Sequence, residues 1–447
     1  MSNQVSNRSN RARSWFLALA LVCAALTLPA VAQSQLPDLC GCRNYPTSLG
    51  AFDTRVPSTW PAGTSVSLRT MTIPLPADGV LVFDSINLEW ATVTTPGFCC
   101  NVDVTFAHNA ANTPITILVK GNVTITGSGD FTVKGNDGAS GTTANFGAGG
   151  IGGHGGYRGG DGAFRLQNLA SDGGAGLGPS GGVGATASPQ TGAGAGGFIG
   201  ATDLLPLVGG SGGGGGRSTN AVTTCSGGGG GGGGGAILIV ANGTITLNNT
   251  SNSIIANGGN GGGHTGSPCA SGGAGGGGGA IRLVANTIAG SGRLSARGGV
   301  RFEDAAQAAS GAIRLEAVNN SLGVTLADPV ASRSTTPGPI VNPFTPTVAV
   351  TAVGGRPVPA VPQGVFGAID VQVPVPGPSA IDLQTDGVPS GTTVQVMVKP
   401  RVGAAAVSQN VTLTNCDAQS RCLASATFDL AAGTYAVEAR ATFQAGL

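Results

Sequence analysis

Apolar and polar residues alternate over short runs along most of this chain, and glycine separates the runs. Ile281-Arg282-Leu283 and Ile313-Arg314-Leu315 each set two aliphatic side chains on one face and an arginine on the other, the period-two signature of a strand. The runs recur with their punctuation: AILIVANGTITL starts at Ala236, AIRLVANTIAGSGRLSARGG at Ala280 and SGAIRLEA at Ser310. Cys225 stands eleven residues before Ala236, and Cys269 eleven before Ala280. Such phasing predicts that the segments stack as successive coils of one solenoid, with the two cysteines on neighbouring coils. The stretch 113–138 aligns with 236–259 and belongs to the same series, with Thr124 and Thr126 set against Thr244 and Thr246. Helical periodicity is nearly absent after the first thirty-two residues. The expected fold is therefore all-β: a right-handed parallel β-helix with glycine-rich loops, followed by an immunoglobulin-like β-sandwich.

Residues 33–110 read as an N-terminal cap and first rungs, with strands at Val80 to Phe83 and Val102 to Phe106; the β-helix follows over 111–327. It is interrupted by a long insertion at 139–232, dominated by glycine. Two forms are open to it: a flexible linker, or extended polyproline-II-like strands that approach closely because side chains are missing. Order is the expectation next to the strands. The segment 328–347, rich in Pro, Ser and Thr, reads as a linker. Short strands at Thr393 to Val398, Val411 to Leu413 and Tyr435 to Phe443 make the last domain, 348–447, a β-sandwich.

Arg8, Arg11 and Arg13 precede an apolar run from Trp15 to Leu28 and then Ala30-Val31-Ala32, the layout of a secretory signal peptide over residues 1–32. The product is expected to be secreted or held at the cell surface, with no membrane span after cleavage, since spanning takes about twenty apolar residues. Cleavage leaves Cys40, Cys42, Cys99, Cys100, Cys225, Cys269, Cys416 and Cys422, an even number that points to disulfides in an exported chain. Cys225 with Cys269 and Cys416 with Cys422 are the natural pairs. Cys40 and Cys42 are set against Cys99 and Cys100 in an order that spacing leaves open. With 22 basic and 21 acidic residues the chain is near neutral and has no basic cluster after the signal, which argues against a nucleic-acid partner. Eighty glycines without a strict every-third-residue period exclude collagen.

Chemistry is thinly marked. Asp130, Asp137, Asp161, Asp172 and Glu303 are scattered among loops, and Arg282 and Arg314 read as a solvated outer face, stacked on each other with Glu316 nearby to relieve the repulsion. His108, His154 and His264 lie far apart, and the last two, in glycine loops, read as exposed loop residues rather than ligands. GGDGAF around Asp161 matches a calcium-binding nonapeptide once, and one copy does not make a site. The threonines of the aligned rungs do not persist as the regular array that an ice-binding surface requires. No catalytic, cofactor-binding or metal-binding residue is assigned from the sequence.

The phrases AANTPITILVKGNVTI at 110–125, GGSGGGGG at 209–216, GGGGGAILIVANGTITLN at 231–248 and GGAIRLVANTIAGSGRLSARGG at 278–299 resemble a group of uncharacterised exported bacterial glycine-rich proteins. More remotely the layout is similar to surface adhesins and to the pectin-lyase-like fold. The resemblance covers about 80–320 and implies a β-helix and export, without catalytic residues to carry over. The expected function is structural or adhesive and non-enzymatic, at the cell envelope or in the extracellular matrix, with a polysaccharide or another cell-surface component as partner. A polysaccharide lyase or glycoside hydrolase on the same scaffold is the alternative.

Overall fold

The computed structural model describes residues 38–42, 47–89, 103–109, 112–163, 170–187, 190–219, 225–249, 252–266, 268–323, 326–340, 346–359, 362, 369–400, 407–417 and 420–442. Residues 1–37, which include the expected signal peptide, and Cys99 and Cys100 lie outside the described residues. The protein is all-β, with a short 3-10 turn at Pro57–Thr59. None of the described helices is long and apolar enough to cross a membrane.

Two parallel sheets are built from strands that alternate along the chain. The first runs from Ala51–Asp53 and Val80–Phe83 through Ile115–Val119 and Val123–Gly127 to Ala236–Asn249, Ala280–Gly290, Ala312–Asn320 and Ser332–Ser334. The second stacks Thr70–Pro74, Asp103–Ala107, Asp130–Thr132, Asn252–Ile255, Arg293–Ser295 and Ala327–Asp328. Ala236 pairs with Ala280 and Ala280 with Ala312, so the repeat phase read from the sequence is the stacking register. Ile117, Ile239, Leu283 and Leu315 form one inward column, each buried. Each such side chain contributes roughly 1.5–3 kcal/mol by leaving water. One detail of the alignment is corrected: Val123 pairs with Ile245, so Thr246 rather than Thr244 stands over Thr124, and Asn248 stands over Thr126. Matching the inward aliphatics, not the threonines, fixes the register.

The outward face of the first sheet is not the solvated surface expected from the alternation. Leu118, Leu238, Val240 and Val284 point outward and are buried in a second apolar cluster with Cys40 and Cys42, against which Leu207 and Ile340 pack. Arg282, in the same face, is 1% exposed. Its Nε donates to Glu316 Oε1 at 3.0 Å and its Nη2 to Pro339 O at 2.9 Å. Glu316 also accepts from Arg314 Nε at 3.2 Å and from the Gly338 N–H at 2.6 Å. The described stretch 328–340 is thus no free linker: Ser332–Ser334 adds to the sheet beside Arg314–Glu316, and 338–340 straps the arginine beneath it. Burial pushes the Glu316 carboxyl up, but the Arg282 guanidinium, the Gly338 N–H and Arg314 together hold it below its ordinary value. A depressed carboxyl contributes stability above its unfolded value and loses it as pH falls through the folded one. Glu316→Gln keeps the shape and leaves Arg282 buried without a counter-charge, which is expected to cost about 3 kcal/mol in urea unfolding at pH 7. A variant within 0.5 kcal/mol of wild type would show that the strap does not depend on this pair.

The glycine-rich parts are ordered as extended segments that exchange backbone hydrogen bonds every third residue, the repeat of a polyproline II helix, which has no internal hydrogen bonds of its own. The central run 227–235 shows the plan. Gly227, Gly230 and Gly233 donate to Ala163, Gly160 and Tyr157; Gly228, Gly231 and Gly234 donate to Ser271, Ala274 and Gly277; Gly229, Gly232 and Gly235 donate to Ala139, Asn136 and Val133. The run accepts in turn from Gly147, Gly150 and Gly153, from Gly210, Gly213 and Gly216, and from Gly259 and Gly262. It therefore sits at the centre of six neighbouring segments. Ordering glycine costs roughly 0.5–1 kcal/mol more than ordering alanine, and the complete pairing of buried N–H groups offsets that cost. Cys225 and Cys269 close one end of the bundle, with Cα atoms 5.8 Å apart.

The remaining described residues form antiparallel sheets. Thr347–Val353, Arg356–Pro357, Gly377–Asp386, Asn415–Cys416 and Cys422–Leu430 make one, while Thr393–Pro400, Val407–Thr412 and Tyr435–Ala441 make the other. They share a core around Ile381, Leu383, Val394, Val396 and Phe428. Cys416 pairs with Cys422 across the edge of the first of these sheets. Lys399 and Glu438, 3.1 Å apart and largely buried, fasten this part to the glycine bundle through Gly176 O and the Gly178 N–H.

Candidate functional site

Most carboxylates picked out from the sequence are consumed in holding the glycine bundle. Asp161 Oδ1 accepts from the Gly149 N–H and from Arg158; Asp137 accepts from the Asn260 N–H, Asp172 from the Ala187 N–H, and Glu303 from the Gly272 N–H. Each serves as a partner for a backbone donor that a neighbouring segment leaves free, which is structural work.

Asp130 differs. It opens the strand Asp130–Thr132 on the outward side of the second sheet, since Phe131 beside it points into the core. Its register partner on the preceding coil is Asp103. Adjacent strands lie about 4.8 Å apart, so two carboxyl groups stack one above the other, with Lys134 and Arg69 as the cations acting on them. Asp130 is 9% exposed, and its Oδ1 has no hydrogen-bond partner. Burial first, and then the Asp103 charge, pushes the Asp130 carboxyl up to about 8, while Lys134 acts in the opposite sense. Burial also raises Asp103, with Arg69 and Lys134 opposing it. A strongly perturbed carboxyl with a specific charge partner is the sort of group that functional sites contain. Beside the pair, Thr72 pairs with Thr105, and Thr132, two residues beyond Asp130, continues that register on the next strand.

The sequence reading overlooked Asp103, although the signal exists: DVTF at 103–106 and DFTV at 130–133 carry the same alternation with aspartate in the same place. Phe106 and Phe131, the inward members of these phrases, stack at 5.9 Å between ring centroids.

The structure also corrects the reading of the histidines. His108 and His154 are stacked, with ring centroids 4.2 Å apart and planes 7° from parallel. His154 is buried, and burial together with the facing His108 lowers its pKa to about 4. His264 instead sets its edge against Phe302, 4.0 Å from Glu303. The cysteine expectation changes at one place: Cys40 pairs with Cys42, Cα atoms 4.9 Å apart, rather than with Cys99 or Cys100. Asn242, itself buried, holds that turn by accepting from the Cys40 N–H at 3.1 Å and donating to Asp38 at 3.0 Å. A groove of about 530 Å³ opens beside the last coil, lined by Val318, Asn319, Asn320, Arg333 and Thr335 among others. Arg333 is already engaged there with Leu322 O and Asn320.

Comparison with protein-family models, with curated proteins and with solved structures gives no match to this chain.

Proposed function

We propose that this chain is an exported, non-enzymatic structural or adhesive protein of the cell surface or extracellular matrix. On this reading its parallel coils form a right-handed β-helix and its C-terminal sheets an immunoglobulin-like sandwich. The supporting observation is the glycine bundle, in which the central run 227–235 is hydrogen-bonded to six neighbours and carries no side chain for chemistry. A lattice of that kind braces the coils and makes a stiff spacer. The second sheet, with Thr72, Thr105 and Thr132 in register and Lys134 further along the chain from the last of them, suits the hydroxyls of a polysaccharide chain.

One observation favours a second reading. Asp103 and Asp130 stand on adjacent strands, near the separation of about 5–5.5 Å found between the carboxyls of retaining glycosidases. Burial raises both carboxyls, and Asp130 the more strongly, and a pair of carboxyls pushed apart by their surroundings is the arrangement acid and base roles require. The two readings separate in one experiment, in which mature protein is incubated with a panel of insoluble and soluble polysaccharides and both retained protein and released oligosaccharides are recorded. Retention without products is expected. Products that disappear in Asp103→Asn would replace the adhesive reading with the hydrolytic one, and neither retention nor products would remove polysaccharide as the partner.

A further inference from the structure

At one corner of the coils two histidines fasten the glycine bundle to the second sheet. His108 follows the strand Asp103–Ala107, and His154 lies in the glycine segment 152–156. Their rings stack 4.2 Å apart and 7° from parallel, and the Phe106 ring stands at 79° to that of His154, with centroids 6.0 Å apart. His154 is 3% exposed, and neither of its ring nitrogens has a hydrogen-bond partner of good geometry among the described residues. The backbone around it is well tied. His154 O accepts from the Ala236 N–H at 2.7 Å, and the Gly155 N–H donates to Asn112 O at 3.0 Å. Asn112 Nδ2 donates to Gly156 O at 2.7 Å, which turns its Oδ1 toward His108 Nδ1, 3.1 Å away. His108 Nδ1 therefore carries the hydrogen of that bond.

A phenylalanine would fill the place of His154 without burying nitrogens that lack partners, so packing alone does not account for an imidazole there. What sets imidazole apart is that it takes a proton in mildly acidic solution. We propose that the His108–His154 stack is an acid-sensitive clasp: it holds the glycine segment 152–156 against the coils while both rings are neutral, and lets the segment open when His154 takes a proton. In the closed stack that proton finds no well-placed acceptor, lies flat against His108 and is cut off from water. His108 is the one titratable group among the described residues whose charge acts on His154. The other neighbours are the Phe106 ring and the backbone of Phe106, Ala107 and Gly235. Burial, and then the His108 charge, lower the His154 pKa from 6.5 to about 4, while the backbone of Ala107 and Phe106 acts in the opposite sense. A pKa lowered in the closed form means that the clasp is fully held above about 6.5 and loses its hold as pH falls toward 4. Opening takes up one proton within that window, so its equilibrium rises about tenfold per pH unit and roughly 300-fold across the window.

The test follows amide hydrogen exchange of the mature chain at pH 7, 6, 5 and 4.5, with each rate corrected for intrinsic exchange at that pH. Protection of Gly155, Gly156 and Ala236 is expected to fall about tenfold per unit below pH 6.5. Gly228 and Gly231, which donate to Ser271 and Ala274 elsewhere in the bundle, should keep theirs. His154→Phe retains a ring in the stack and has no proton to take up, so its protection is expected to stay flat over the same range. A reading that needs no variant is the imidazole resonance of His154, which should titrate near pH 4 in the folded chain. Unchanged protection of the wild type at pH 5, the same acid loss in folded His154→Phe, an equal loss at Gly228 and Gly231, or a His154 midpoint near 6.5 would each overturn the proposal.

Discussion

Gly230→Ala is expected to lose at least about 4 kcal/mol of stability in urea unfolding, or to prevent folding at 37 °C, whereas Gly192→Ala stays within about 1 kcal/mol of wild type. Gly230 donates to Gly160 O, accepts from the Gly150 N–H, and turns its third side to Gly213. A Cβ placed there would run into the carbonyl oxygen and carbon of Gly213, closer than real Cβ atoms approach backbone. Overpacking in a core that can move costs about 1–3 kcal/mol. Here the obstacle is backbone, and moving it breaks hydrogen bonds to the central run itself and to the segment of Gly160, because Gly213 donates to Gly231 O and accepts from the Gly160 N–H. The damage therefore spreads through the lattice. Gly192 lies at the rim, where the nearest atom to a new Cβ is Arg301 Nη1, 3.4 Å away at the end of a flexible side chain. If Gly230→Ala unfolds at the same urea concentration as wild type, the bundle is not packed as described.

The threefold lattice and the coil stacking were legible to different degrees. Coil stacking shows in the sequence because side chains alternate: Ile281-Arg282-Leu283 states which residues face inward, and the common spacing of Cys225 and Cys269 from Ala236 and Ala280 gives the register. What covers the outward face does not show, since Cys40, Leu207 and Ile340 arrive from distant segments with no pattern in common. For that reason Arg282 reads as solvated and is in fact buried against Glu316. The glycine bundle is half legible. Glycine at 147, 150, 153, 156, 159 and 162 marks the period of three in outer segments, each of which needs glycine only where it faces a neighbour. The central run needs it everywhere, and nine consecutive glycines from 227 to 235 then hide the period. Within the candidate site Asp130 was singled out and Asp103 was not, because the two meet through a register that begins before the aligned rungs, between strands 27 residues apart.

Asp130→Asn is expected to stabilise the protein at pH 8 and to leave it almost unchanged at pH 4. The folded-state carboxyl lies at about 8 because burial, and then the Asp103 charge, oppose ionisation, with Lys134 insufficient to compensate. A carboxyl raised in this way binds its proton more tightly folded than unfolded. Its contribution is fully present below the unfolded value and is lost as pH rises to the folded one. Each unit of pH in that window removes about 1.4 kcal/mol, so the ceiling over roughly four units is about 5 kcal/mol. Asparagine has the same shape, no proton to lose and a donor to offer Asp103, which leaves its stability flat across the window. Urea unfolding of the two proteins at pH 4, 6 and 8 should diverge steadily, reaching on the order of 4 kcal/mol in favour of the variant at pH 8. Parallel curves would mean that Asp130 is solvated and that the pair is an ordinary surface feature. A widening gap would mean that the chain keeps a buried acid at a cost it could remove by one substitution. Retention of such a cost is what a binding or catalytic role produces and what packing alone does not.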